Sequence, residues 1–169
     1  MSATYRMAVL GEESANQLLY CRESQVLVHM SPASYLRHCA PISAGDSMWW
    51  VDKPLPNSMS RSRVEWVAAR LLAQLPLDAP FLDADPDTGV VISQEGRHRA
   101  VAAFELGIEL IPVIIYARRR GVGILDESEC PGLHSKLRGF FDEAPWIRLT
   151  DEDLGLPSSE YSHSGVGEV

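Results

Sequence analysis

Residues 90–116 read VVISQEGRHRAVAAFELGIELIPVIIY, and this stretch decides the fold. An acid, a glycine and three basic residues follow the first apolar run. The segment from 97 to 106 has small and apolar residues on one side, which predicts a helix that Gly107 ends. LIPVIIY (110–116) is so apolar that we predict a strand covered on both faces. Strand, helix and buried strand together predict a βαβ unit with parallel strands.

The flanking sequence predicts the remaining elements of a single α/β domain. Ser62 and Glu65 have capping-box spacing at the start of the clearest helix, and Ser31-Pro32 is typical of a helix start. The predicted elements are a strand at 24–30, a short helix from Pro32, a helix at 62–75, a strand, turn and strand at 79–93, and a helix at 133–141.

Composition predicts a cytoplasmic protein without a membrane segment. No apolar run is long enough to span a bilayer, and the N-terminus lacks the order of a secretory signal. The formal charge is −8, but residues 142–169 hold seven acids against Arg148 and so carry −6, which leaves −2 for the rest. A nearly neutral body does not exclude a nucleic-acid partner, and the acidic tail is a candidate surface for a protein partner.

The sequence at 95–99 is the candidate functional site. Gly96, between a strand and a helix, allows close approach of a ligand to the first helical N–H groups, which attract anions. Arg97, His98 and Arg99 add donors that suit phosphate. Because helical residues advance about 100° each, the three side chains fan out, and we expect His98 and Arg99 to reach inward. Glu95 could act as a general base or hold a divalent metal. The alternative to phosphate binding is that the charged side chains at 95–99 only face solvent at the edge of the fold.

The same residues resemble the core motif of the ParB/sulfiredoxin superfamily. The shared features are an acid-Gly-x-His-Arg turn (95–99), an alanine-rich helix, LG (106–107) and IPV (111–113). The resemblance covers about residues 24–117 and implies a small mixed sheet with packed helices. It divides the chain into an N-terminal extension (1–23), this core (24–117), a C-terminal helical extension (118–156) and a disordered acidic tail (157–169).

The resemblance also implies a nucleoside triphosphate, ATP or CTP, with Mg²⁺ or another divalent cation. It assigns phosphate contact to the turn and to the start of the preceding helix, and it makes Glu95 and His98 the catalytic candidates and Glu95 the metal candidate. The resemblance implies phosphate contact by Gly96, His98 and Arg99. Arg97, Arg61 and Arg63 are the further candidates for phosphate binding, and for Arg61 and Arg63 the alternative is a solvated first turn.

Two departures from the superfamily pattern reduce the number of functions that the resemblance leads us to expect. Arg97 stands where sulfiredoxins keep their cysteine, so we do not expect sulfiredoxin activity. About 50 residues follow the core, acidic and rich in Ser and Gly towards the end, so we do not expect the further domains of partition clamps either. We therefore expect a stand-alone ParB-like nuclease or NTPase that binds nucleotide or DNA. The alternative is a non-catalytic nucleotide-sensing or protein-binding regulator, for example plasmid- or phage-encoded. Arg118, Arg119 and Arg120 are expected either to guide phosphate to the same edge of the sheet or only to end a strand in water.

Overall fold

A computed structural model of the protein describes residues 3–7, 25–39 and 60–141. Those residues form one α/β domain, as the sequence predicts, with the four predicted helices, the four predicted strands and a short fifth strand that the sequence does not predict. The elements in chain order are β1 (Gln25–Met30), α1 (Pro32–Cys39), α2 (Arg61–Leu72), β2 (Phe81–Ala84), β3 (Val91–Glu95), α3 (Arg97–Glu105), β4 (Ile111–Arg119), β5 (Gly123–Ile124) and α4 (Leu133–Phe141).

The sheet is mixed, and β4 is its central strand. The strand order is β1-β4-β2-β3, with β5 paired to the end of β4. β4 runs antiparallel to β1 and parallel to β2. All residues from Ile111 to Ile115 are buried. Since alternate side chains of a strand point to opposite faces, β4 is covered on both faces, as its sequence predicts.

The prediction of a parallel βαβ unit is wrong in one respect, because β3 and β4 are neither adjacent nor parallel. β3 forms an antiparallel hairpin with β2, and β2 is the parallel neighbour of β4. The crossover between parallel strands therefore consists of β3 and α3 together. The turn at 86–88 contains Pro86, and Gly89 follows it with φ +71°, so local turn chemistry sets the direction of β3.

This topology corrects the expected position of the arginine run. Glu95 lies opposite Phe81, which lies opposite Ile114, whereas Val91 is level with Ala84 and Ala117. Arg118 and the residues after it therefore lie at the end of the sheet where β3 begins. The Glu95-Gly96 turn lies at the other end.

α1 and α2 begin at side-chain caps, which the sequence predicts in part. Ser31 Oγ accepts the Ser34 N–H at 3.1 Å, which confirms the predicted start of α1. α2 begins one residue earlier than expected, and its cap lies two residues before the predicted one, because Ser60 and not Ser62 accepts the Arg63 N–H. Glu65 does not complete a capping box and lies 3.4 Å from Arg61.

One hydrophobic core joins the helices to the sheet. α4 contributes Leu133, Leu137 and Phe141, all buried, and it packs against β1. The expected helical extension at 118–156 therefore shares the core of the preceding residues as far as 141. The acidic tail lies outside the described residues. Within the described ranges, no helix is long and apolar enough to cross a membrane.

Candidate functional site

The turn between β3 and α3 is built around Gly96. Gly96 has φ +110° and caps the start of α3 without a side chain. A Cβ at this position would lie 2.7 Å from Pro80 Cβ and 2.8 Å from Pro80 Cα. Only glycine therefore fits, both because the backbone is left-handed and because a neighbouring segment touches it.

Tyr35 of α1 holds the last residue of β3 in place. Its buried hydroxyl donates to the Glu95 carbonyl at 2.6 Å. Burial raises the pKa of Tyr35 well above its usual range, so the group remains a neutral donor. The contact spans 60 residues of sequence, and no short-range pattern marks it.

The three basic side chains after Gly96 fan out to three different parts of the fold. His98 turns towards α2 and Arg99 towards the segment before β2. Arg97 lies near Cys39 of α1, where its charge partly offsets the effect of burial, which raises the thiol pKa to about 12. The helical advance per residue predicts this divergence, so Arg97, His98 and Arg99 cannot all bind one phosphate group.

Arg99 is committed to backbone oxygens. Its Nη1 donates to the Asp78 carbonyl at 2.7 Å and more weakly to the Ala79 carbonyl at 3.4 Å, and its Nη2 lies 3.7 Å from the Glu95 carboxylate. Only 17% of the side chain is exposed. Arg99 reaches inward as the sequence predicts, and its hydrogen bonds to the Asp78 and Ala79 carbonyls tie the turn to the segment that leads into β2.

His98 joins the N-termini of two helices. The Ser60 N–H donates to His98 Nε2 at 3.2 Å, so residues just before α2 and in the first turn of α3 are in direct contact. Burial, followed by the positive charges of Arg63 and Arg97, lowers the pKa of His98 below its ordinary value. The ring is therefore neutral near pH 7.

Arg61 and Arg63 begin the same helix but have different surroundings. Arg61 donates two hydrogen bonds to Glu105, at 2.6 and 2.9 Å, and is directed along α3 away from the turn. Arg63 is close enough to His98 for its charge to lower the pKa of the ring. Among the side chains that the structure describes, no carboxylate lies within 4.0 Å of Arg63.

Glu95 has an exposed carboxylate at the edge of the turn. Its side chain is 67% exposed, and its carboxylate lies 3.7 Å from Arg99 Nη2. In the ranges 3–7, 25–39 and 60–141, no three metal-ligating side chains come together. Glu95 could therefore supply one ligand to a metal, and the described residues do not supply a complete set of ligands around it.

The arginine run at the opposite end of the sheet belongs to a network of ion pairs. Arg118 Nε lies 2.8 Å from the buried Asp83 carboxylate. Arg119 and Lys136 both contact Asp87, Lys136 at 2.7 Å, and this links the turn before β3 to α4. These pairs favour the structural alternative for Arg118 and Arg119 over a role in guiding phosphate to Gly96.

No protein-family model, curated protein or solved structure compared with the chain matches it. The superfamily resemblance therefore stays a prediction from the motif. The geometry adds Tyr35, Asp78 and Pro80 to the site, none of which the sequence had singled out. It also adds Ser60, which the sequence places beside Arg61 and Arg63 at the start of α2. Only Ser60 has a local signal, since it precedes the first residue of a strongly periodic helix.

Proposed function

We propose that this protein binds a phosphate-bearing ligand, a nucleotide in the first place, where the N-termini of α2 and α3 meet. The observation that carries the proposal is the contact between Ser60 and His98, which brings two helix starts together. Each start presents N–H groups and the positive end of a helix dipole, so their contributions to binding an anion add.

Side-chain charge supports the same ligand. Arg63 and Arg97 both lower the pKa of His98, so both charges act on the point where the helices meet. Arg61 and Arg99 are engaged with Glu105 and with backbone carbonyls. We assign the principal contacts to Arg63 and His98, which lie where the two helices meet, with Gly96 allowing close approach. The charge of Arg97 adds to the attraction of an anion, and Arg61 and Arg99 have positioning roles.

A divalent cation fits this site only with the help of the ligand. Mg²⁺ takes oxygen ligands in an octahedral arrangement and commonly uses one or two carboxylates together with substrate phosphates and water. Glu95 offers one exposed carboxylate at the turn. When bound, the cation would neutralise phosphate charge, and the nucleotide and water would complete its ligands.

Arg63→Gln tests the binding proposal, with Arg120→Gln as the matched control. Both changes remove one exposed arginine charge, but Arg120 lies beyond the far end of β4. We expect Arg63→Gln to weaken binding of ATP or CTP by about ten- to a hundredfold, since a charge-assisted hydrogen bond contributes about 1.5–3 kcal/mol. Arg120→Gln should bind like the natural chain. Isothermal titration with ATP, CTP and short DNA, with and without Mg²⁺, measures both; equal losses in the two variants would contradict the proposal.

Hydrolysis of a nucleoside triphosphate or DNA is the catalytic form of the proposal. Glu95 is its general base or metal ligand, and His98 is the second catalytic candidate. Phosphate release and DNA cleavage by Glu95→Gln, measured beside the natural chain, decide this point. Loss of turnover with retained binding supports an enzyme, and equal rates remove the catalytic role of Glu95.

A non-catalytic nucleotide sensor is the second candidate, and the position of Glu95 favours it. Its carboxylate faces Arg99, which is itself tied to the Asp78 carbonyl. Glu95 can therefore stabilise the turn through Arg99 without acting as a general base or a metal ligand. Nucleotide binding without turnover under any of the conditions above would establish this candidate.

A further inference from the structure

The hydrogen bond from Ser60 to His98 depends on the charge of the imidazole. A backbone N–H can only donate, so Nε2 must offer a lone pair to it, at a distance of 3.2 Å. The ring is then neutral and carries its proton on Nδ1. The contact that joins the starts of α2 and α3 therefore exists only while His98 is unprotonated.

Protonation of His98 would leave two donors facing each other. The new Nε2–H and the Ser60 N–H would point into the same gap without an acceptor between them. An oxygen atom of an anion placed in that gap can accept from both groups, and the adjacent helix N-termini favour negative charge there. Without an anion, the Ser60 N–H next to Nε2 disfavours protonation of His98. With an anion between them, the Ser60 N–H and the protonated Nε2 both act as donors to it.

The charged groups around His98 oppose its protonation, and an anion that binds beside the ring favours protonation. The charged groups that act on His98 are Arg63 of α2, Arg97 and Arg99 of α3, and Glu95 of β3. From α1, Tyr35 and Cys39 face the same turn, and burial raises the pKa of each, so neither is charged. Burial and three positive groups against one carboxylate oppose protonation. A phosphate group, with a charge of about −2, offsets the net positive charge of these groups.

We propose that His98 is a proton-linked latch of the phosphate site. In the empty protein, neutral His98 holds the Ser60 N–H and closes the gap between the two helices. When a phosphate-bearing ligand binds, His98 takes up one proton, releases Ser60, and donates to a phosphate oxygen that also accepts the Ser60 N–H. Binding therefore tightens as the pH falls. This inference rests on the proposed function and adds the regulation of the same site.

His98→Gln tests the latch without removing the acceptor. The glutamine amide oxygen can accept the Ser60 N–H but does not titrate. Inorganic pyrophosphate is titrated into the natural chain and the variant between about pH 8 and about pH 5.5, the interval in which a histidine changes charge. The titration of pyrophosphate itself is common to both proteins, so the ratio of the two Kd values reports His98 alone.

We expect the Kd of His98→Gln, divided by that of the natural chain, to rise as the pH falls. The rise reaches about tenfold if binding lifts the pKa of His98 by one unit. A ratio that does not change with pH overturns the latch and leaves the proposed function standing. Absence of pyrophosphate binding by both proteins at every pH overturns the proposed function as well.

Ser60→Pro and Ser60→Ala form a second, ligand-free test. Both remove the hydroxyl, but only proline removes the N–H, and the Ser60 φ of −81° suits proline. Without the Ser60 N–H, the neutral ring loses the hydrogen bond that favours it, so the pKa of His98 should be higher in Ser60→Pro than in Ser60→Ala. Nitrogen chemical shifts of labelled histidine measure both values, and equal values contradict the latch.

Discussion

Gly96 carries two constraints, of which Gly121 carries only one. Gly96 has a left-handed backbone and leaves no room for a Cβ against Pro80. Gly121 also has a positive φ, +77°, but a Cβ there would meet nothing within 4 Å. The pair separates the cost of the backbone conformation from the cost of close contact.

Gly96→Ala should destabilise the protein more than Gly121→Ala. A non-glycine residue with this backbone costs about 1–3 kcal/mol, and forcing an extra carbon into a packed contact adds about 1–3 kcal/mol. Gly121→Ala should lose only the first contribution. Urea unfolding of both variants gives the two free energies, and equal losses would show that the contact with Pro80 is unimportant.

The residues of the turn could be predicted from the sequence, but their partners could not. The motif and the helical advance predict a glycine cap and diverging side chains at 97–99, and the structure has both. The oxygen that Arg99 binds belongs to Asp78, 21 residues away, and a carbonyl has no sequence signature. Long-range contacts of this kind depend on how the elements pack, which periodicity does not encode.

Among the elements, hydrophobic patterns predicted the strands and helices better than their arrangement. β4 is a continuous apolar run and is the buried central strand. The predicted direction of β3 was wrong, because a helix between two strands allows the strands to be either parallel or antiparallel. The tight turn from Asp85 to Val90, closed by the Asp85 N–H donating to the Val90 carbonyl at 2.9 Å, fixes β3 against β2 instead.

α4 packs into the core through buried side chains, so truncation of one of them should lower the free energy of unfolding. Leu137 is fully buried in α4, whereas Leu72, at the end of α2, is 63% exposed. Leu137→Ala should lower the free energy of unfolding by about 2–5 kcal/mol, since it leaves a cavity. Leu72→Ala should change it by no more than about 0.5 kcal/mol. Chemical denaturation of both variants checks this, and a small loss for Leu137→Ala would show that α4 is not part of the core.

Across the whole molecule, the two ends of the sheet carry different electrostatic roles. One end has the turn at Gly96, where Arg63 and Arg97 act on His98. The other has acids and bases that neutralise each other around Asp87. The formal charge of −8 opposes long-range attraction of a polyanion, so the proposal favours a small nucleotide over extended DNA.

Backbone amide chemical shifts during titration with ATP and Mg²⁺ test the central proposal most directly. They report the position of binding without requiring turnover or a variant. We expect the largest changes at residues 60–63 and 96–99, where the two helix starts meet, and none beyond background at 118–120. Largest changes at 118–120, or no changes at saturating ATP, CTP and pyrophosphate, would contradict a phosphate site between α2 and α3.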